Sequence, residues 1–210
     1  MLEIHRDGEC WRCAARTGLE PSCLACEAPQ PLDGRDLFAV LGLPRRLSVD
    51  TADLERRYLD ASRAVHPDRH QTAEPRARAL SVTASAAVNR AYRTLRDPVE
   101  RGRYWLELNG ESLGRDNNQV PPALAALVFE TQETLADLRV GGADRAAVER
   151  THEDLEGRRR DLERALEERY GAWDAADPAA PAVLADLKRR LSEIAYLTTL
   201  VDDVDEALGV

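Results

Sequence analysis

Residues 50–70 read DTADLERRYLDASRAVHPDRH, a helix that must stop where a rigid polar turn begins. Asp50 suits the N-cap, since a short carboxylate accepts from the free N–H groups of a first helical turn. Asp53 adds negative charge within that turn, where the helix dipole favours it. Leu54, Tyr58, Ala61 and Val65 recur at helical spacing and mark the buried face. Pro67 ends the helix, because it lacks an N–H and its ring collides with the preceding turn. Relative to Leu54, Arg56 and Arg63 point ~180–200° away at ~100° per residue. Asp60 lies toward the same outer side and Arg69 follows in the loop. A basic helix face that runs into the polar turn His66-Pro67-Asp68 suits an acidic docking partner. The competing reading is an ordinary surface turn, and the tripeptide alone does not separate the two.

The neighbouring segments are helical as well. Asp36 to Leu41 is a short helix closed by Gly42 and Pro44. After the loop DRHQTAEP, Leu80, Ala84, Ala87, Val88, Ala91 and Leu95 form one stripe, which Asp97-Pro98 breaks. A fourth helix carries Tyr104, Trp105 and Leu108 to a stop at Asn109-Gly110. The polar stretch 110–120 reads as a linker and Pro121-Pro122 as a new start. In the first helix beyond it, Leu124, Leu127, Val128, Thr131, Leu135 and Leu138 share a face that ends at Gly141-Gly142. From about Asp144 to Tyr170, Val148, Leu155, Leu162, Leu166 and, just past that helix, Trp173 lie near heptad spacing. After DAADPAAP the stripe is Leu184, Leu187, Leu191, Ile194, Thr198, Val201, Asp205 and Leu208. That pattern makes an antiparallel three-helix bundle. The expected architecture is all-α in three parts: a small four-cysteine segment over 1–30, a helical-hairpin domain over 36–109, and a three-helix bundle over 121–210.

Composition agrees. Hydrophobic residues make up 43% and charged residues 32% of 210, the balance of a globular chain. Lys188 is the only lysine. A net charge of −9 argues against generic nucleic-acid binding, which depends on neutralising phosphates. The charge is uneven: residues 36–109 hold 13 basic and 10 acidic side chains, residues 115–210 hold 12 and 21. Two domains with different partners would produce that asymmetry. No uncharged apolar run approaches the roughly 20 residues that cross a bilayer, and the N-terminus lacks the apolar centre of a signal peptide. A cytoplasmic, non-membrane protein is expected. Homo-oligomerisation is left open.

Cys10, Cys13, Cys23 and Cys26 form C-x2-C-x9-C-x2-C, and no cysteine follows. Two such pairs let each tight turn offer two thiolates to one tetrahedral ion. A segment this short has no core of its own, so the metal would supply its folding energy. A structural zinc is expected. Disulfides, a redox pair and a rubredoxin-like iron use the same residues, while a catalytic zinc would need an open coordination position. A metal or acid–base role for His66 and Asp68 finds no partner nucleophile or phosphate loop. His5 and His152 have no implicating spacing, and Arg158-Arg159-Arg160 reads as a solvated face.

The stretch LFAVLGLP…DLERRYLDASRAVHPDRH…SAAVNRAYRTLRDPVERGRYWLEL resembles a J-domain, specifically that of the HscB-type co-chaperones of iron–sulfur cluster assembly. The resemblance covers nearly the whole chain, cysteine knuckles and C-terminal bundle included. It implies a non-enzymatic adaptor that stimulates the ATPase of an HscA/DnaK-type chaperone and delivers an IscU-type scaffold to it. His66, Pro67 and Asp68, with Arg56, Arg63 and Arg69, would contact the chaperone. Asn89 and Asp97 match positions that support the loop and the end of the third helix. The family commonly has an aromatic where this chain has His70. A general folding co-chaperone with another client is the nearest rival, and a zinc-dependent regulator or nucleic-acid binder the next.

The client face follows from a helical wheel. With Leu124 at zero, Phe129 falls at ~140° and Glu133 at ~180°, with Glu130 on the same outer side. With Ile194 at zero, Tyr196 falls at ~160°. Two outward aromatics among acids suggest binding anchors with a charged rim, although single exposed apolar residues are common. By resemblance, Phe129, Glu130, Glu133 and Tyr196 match the scaffold-binding patch. Ala125 and Ala126 stand where the family often has larger apolar residues.

Overall fold

A computed structural model describes residues 8–113, 120–139, 141 and 144–209. His5, part of the polar stretch 110–120 and the expected helix stop at Gly142 lie outside these. The described residues are all-helical apart from two isolated β-bridges in the cysteine segment. They form two compact units, one ending at Arg101 and the other starting at Gly102.

In the first unit, α1 (Leu37–Val40) is capped by Asp36, whose carboxylate accepts from the Ala39 N–H and pairs with Arg45 at 2.6 Å. The chain turns at Gly42 with φ +62°, a left-handed conformation that glycine adopts without strain. Helix α2 (Thr51–Val65) opens on Asp50 as expected, the carboxylate accepting from Ala52 and Asp53. Its buried face is Leu54, Ala61 and Val65. Helix α3 (Pro75–Arg96) meets it with Ala77, Ser81, Ala84, Val88, Ala91 and Leu95, and the four small ones, Ala77, Ser81, Ala84 and Ala91, let the hairpin close tightly. Ala84, Val88, Ala91 and Leu95 are buried as expected, while Leu80 and Ala87 are half-buried and Ala77 and Ser81 complete the buried stripe. The Tyr58 ring stacks on Tyr92 at 4.1 Å, and its hydroxyl donates to Asn89 across the hairpin. Asp97 ends α3 and caps α4 (Pro98–Leu108) by accepting from Val99 and Glu100.

In the second unit, α5 (Ala125–Arg139), α6 (Arg145–Ala175) and α7 (Pro181–Leu208) bury Leu124, Leu127, Leu135, Val148, Leu155, Leu197, Leu200, Val201 and Val204 in one core. Arg145 donates to the Leu208 carbonyl and His152 pairs with Asp205 at 2.9 Å, so α6 and α7 run antiparallel. Trp105 donates its indole N–H to the Pro178 carbonyl at 2.8 Å.

The stripe on α7 departs from expectation. Thr198 is exposed, and Leu197, Leu200 and Val204 are buried instead. Helix α7 packs on both α5 and α6, so its buried arc is wider than a single 3,4 stripe and takes in Leu197, Leu200 and Val204 beside Val201.

Candidate functional site: a docking turn and a four-cysteine cluster

His66 ends α2, and Pro67–His70 forms a single 3-10 turn. His66, Asp68 and Arg69 are exposed. The turn is nonetheless braced. His66 Nδ1 accepts from the Asp68 N–H at 3.3 Å, and Gln71 donates to Asp68 Oδ1 at 3.0 Å. Below, His70 is buried with Nε2 3.1 Å from the Ala64 carbonyl oxygen. A shallow recess is lined by Ser62, Arg63, His66 and Arg69, so three of the expected docking residues share one surface. Arg56 lies on the same helix and does not line the recess. Arg56 pairs with Asp53, and Arg63 with Asp60 at 3.5 Å. Such exposed pairs are worth about 0.2–1 kcal/mol, weak enough to be exchanged for a partner's carboxylates.

The cysteines occupy two turns that repeat each other thirteen positions apart. The first closes with Cys10 N–H to Ala15 O and Ala14 N–H to Cys10 O; the second with Cys23 N–H to Ala28 O and Glu27 N–H to Cys23 O. Ala14 and Glu27 both hold φ +57°. Sγ–Sγ distances are 3.6 Å for Cys10–Cys26 and 3.7 Å for Cys13–Cys23, and all four sulfurs lie within 4.8 Å of one another. A tetrahedral ion with metal–sulfur bonds of about 2.3 Å sets its sulfurs ~3.8 Å apart, so the cluster fits such an ion. The Arg12 and Ala25 N–H groups and the Gln30 amide point at Cys10 or Cys23 sulfur within 3.3–3.4 Å, as donors to thiolates do.

Cys10 and Cys26 are shifted in opposite directions. Burial pushes the Cys10 thiol up, but the Cys13 and Arg12 N–H groups and the Cys26 and Cys23 thiols outweigh it and bring it down to about 6. Burial, only partly offset by the Ala28 N–H, and the thiols of Cys13, Cys10 and Cys23 hold Cys26 up at about 12. All four become thiolates together only beside a cation.

The expected client residues are only partly arranged as the wheel implied. Phe129 is 70% exposed on α5, and Glu130 and Glu133 are exposed with it. Tyr196, expected to point outward, is half-buried against the bundle core. The wheel assumed a narrow stripe, whereas α7 packs on both α5 and α6. Leu200 widens its buried arc to within ~40° of Tyr196.

Residues 36–104 match the family model described as "DnaJ domain". A "Co-chaperone protein HscB homolog" of Aromatoleum aromaticum is 33% identical over 178 residues, which is 83% of this chain and 96% of that one. The chain belongs to the HscB family of J-domain co-chaperones. A further "Co-chaperone protein HscB homolog", from Shewanella woodyi, is 29% identical and matches 81% of this chain and 97% of its own. Among solved structures, human co-chaperone protein HscB superposes with a TM-score of 0.68 over 94% of this chain and 97% of its own, at 23% identity. "Chaperone HscB from Vibrio cholerae" gives 0.56 over 81% and 98%, at 27% identity.

Membership in the HscB family makes the chain a non-enzymatic partner of an Hsp70-type chaperone with a four-cysteine cluster suited to a metal ion. No helix among the described residues is long and apolar enough to cross a membrane. Several supporting residues escaped the sequence reading. Arg57 pairs with Asp53 and donates to the Gly42 carbonyl at 2.6 Å, tying α2 to the end of α1. Its sequence signal was only the i,i+4 spacing to Asp53. His152 contacts Asp205 across 53 residues, a distance at which no local pattern could have signalled the pair.

Proposed function

We propose that this chain stimulates the ATPase of an HscA/DnaK-type chaperone and delivers to it an IscU-type scaffold of iron–sulfur cluster assembly, in the cytoplasm. The observation that carries the first half is the exposed, braced His66-Pro67-Asp68 turn beside Arg63 and Arg69. Arg56 extends the cationic face along α2. A turn already held in shape loses little conformational freedom on docking, so its contacts act on the chaperone rather than on its own ordering. Coupling to ATP hydrolysis then needs no chemistry from this chain, only different affinities for the chaperone's two states.

Delivery rests on Phe129, Glu130 and Glu133, with Tyr196 contributing the part of its ring that remains open. A lone exposed aromatic rimmed by carboxylates suits a client surface with an apolar pocket and basic surroundings. In this reading residues 36–109 address the chaperone, 121–210 hold the client, and 1–30 bind one zinc ion through Cys10, Cys13, Cys23 and Cys26. With four thiolates the zinc would be closed to substrate and its contribution structural.

The test is steady-state ATPase of the purified chaperone with wild-type protein and His66→Gln, with and without a scaffold. Stimulation that His66→Gln abolishes and the scaffold enhances supports the proposal. Stimulation without scaffold binding would leave a general folding co-chaperone.

A further inference from the structure

The cysteine turns precede the matched J-domain, which begins at residue 36, yet they touch the segment that carries the docking turn. Glu27 Oε2 lies 3.4 Å from an Arg69 guanidinium nitrogen. Arg12 pairs with Glu74 at 3.4 Å, immediately before α3. The Arg76 guanidinium sits 4.7 Å over the Trp11 ring, whose N–H is anchored on the Pro29 carbonyl at 2.6 Å. The last two contacts seat the cysteine turns; the first reaches the docking surface.

Glu27 stands where the turn itself favours another residue. Its φ of +57° is a conformation glycine adopts freely and glutamate seldom does, and the turn requires only its N–H, which bonds Cys23 O. The equivalent position in the first turn is an alanine, Ala14. Placed directly after Cys26, the Glu27 backbone is held by the four-sulfur cluster, and its carboxylate is aimed at the one arginine adjoining His66-Pro67-Asp68.

We propose that Glu27 is a positioning residue for chaperone docking, through which the metal-bound cysteine turn holds Arg69 in place beside His66 and Arg63. The inference rests on the chaperone-docking reading above. Arg69 also reaches back to the Arg63 carbonyl at 3.4 Å, so Glu27 and that carbonyl hold the guanidinium from two sides. So exposed a pair biases Arg69 and does not lock it, and a long side chain already biased toward its docking position forfeits less rotamer freedom on binding. Loss of the metal loosens the turn, releases Glu27 and frees Arg69. By linkage, a docked chaperone then tightens metal binding by the same factor.

The experiment titrates purified chaperone with full-length wild type, Glu27→Gln, Glu27→Asp and His66→Gln, each zinc-loaded and after chelation under reducing conditions. Glu27→Gln is expected to weaken binding about threefold to fivefold, the scale of one exposed charge pair. Chelation should weaken wild type by the same factor and change Glu27→Gln no further, and Glu27→Asp should recover part of the loss. Cobalt(II) spectra report whether the thiolate site survives in each variant. If Glu27→Gln disturbs it, Glu27→Gly, which relaxes the backbone, gives the same comparison. Wild-type affinity in the Glu27 variant, or full further weakening of it on chelation, overturns the proposal. His66→Gln reports separately: if it binds like wild type, the docking reading itself falls; if it fails while Glu27→Gln binds normally, only the role of Glu27 falls.

Discussion

His70 lies beneath the docking turn with its Nε2 3.1 Å from the Ala64 carbonyl oxygen, tying the residue after Arg69 to the last turn of α2. The carbonyls of a helix's last turn lack intrahelical donors, and a partly buried one gains from a side-chain partner. An imidazole supplies both that donor and the ring that fills the space under the loop.

His70→Ala should then cost about 1–3 kcal/mol of stability, since it removes a buried ring and leaves a partly buried acceptor without its side-chain partner. Urea unfolding of the two proteins measures it. Chaperone stimulation should drop as well, although no chaperone-facing atom is removed; His66→Gln should show the reverse pattern, with stimulation lost and stability unchanged.

Removing the metal should abolish the fixed structure of the cysteine turns and leave the helices intact, because those turns bury only Cys10, Cys23 and Ala28 in a cluster of their own. Far-UV circular dichroism should change little, while metal analysis before chelation gives one zinc per chain. Binding requires four thiolates, so protons compete with the metal. Affinity should fall as pH falls, and the released protons are countable by calorimetry in buffers of different ionisation enthalpy. Two disulfides joining Cys10, Cys13, Cys23 and Cys26 in protein freshly isolated without exposure to oxidant would exclude this picture.

Asp36 offers a pH-dependent test of the first unit. Burial pushes its carboxyl up, but the Ala39 N–H and Arg45 outweigh that and hold it below the usual carboxylate range. A folded-state value below the unfolded one stabilises above the unfolded value of about 3.9 and is lost as pH falls through the folded value. Asp36→Ala should therefore cost about 1 kcal/mol at pH 7. The gap between variant and wild type should close as pH falls below ~3.9, followed by denaturant melts across that range.

Much of this was legible locally. Asp50 and Pro67 bound α2 because a cap and a forbidden N–H act within one turn, and the four cysteines are legible because metal ligation demands that spacing. What was missed depends on tertiary context. Thr198 and Leu197 are neighbours, and only the pair of helices packed on α7 decides which is buried. The Glu27–Arg69 and His152–Asp205 pairs each join distant segments and carry no periodic signal. Tyr196 was misplaced for the same reason: a wheel gives an angle, and the width of the buried arc comes from the neighbours.

The half-buried Tyr196 ring changes how the client face must be probed. Phe129 is exposed enough that Phe129→Ala should leave folding stability within about 0.5 kcal/mol of wild type. If Phe129 anchors the scaffold, the same substitution should weaken scaffold binding by about 2 kcal/mol, roughly thirtyfold. Tyr196→Ala is not an equivalent partner for it, because truncating a ring packed on the core removes bundle stability along with any contact. Tyr196→Phe keeps the ring and its packing and removes only the hydroxyl, so it isolates what the hydroxyl contributes to scaffold binding. Glu130→Gln with Glu133→Gln completes the set, and its effect should shrink as salt rises, since rim charges are screened over about 8–10 Å. Calorimetric titration with a purified scaffold measures all three variants. Unchanged affinity in Phe129→Ala would remove this face as the client site, whatever the J-domain does.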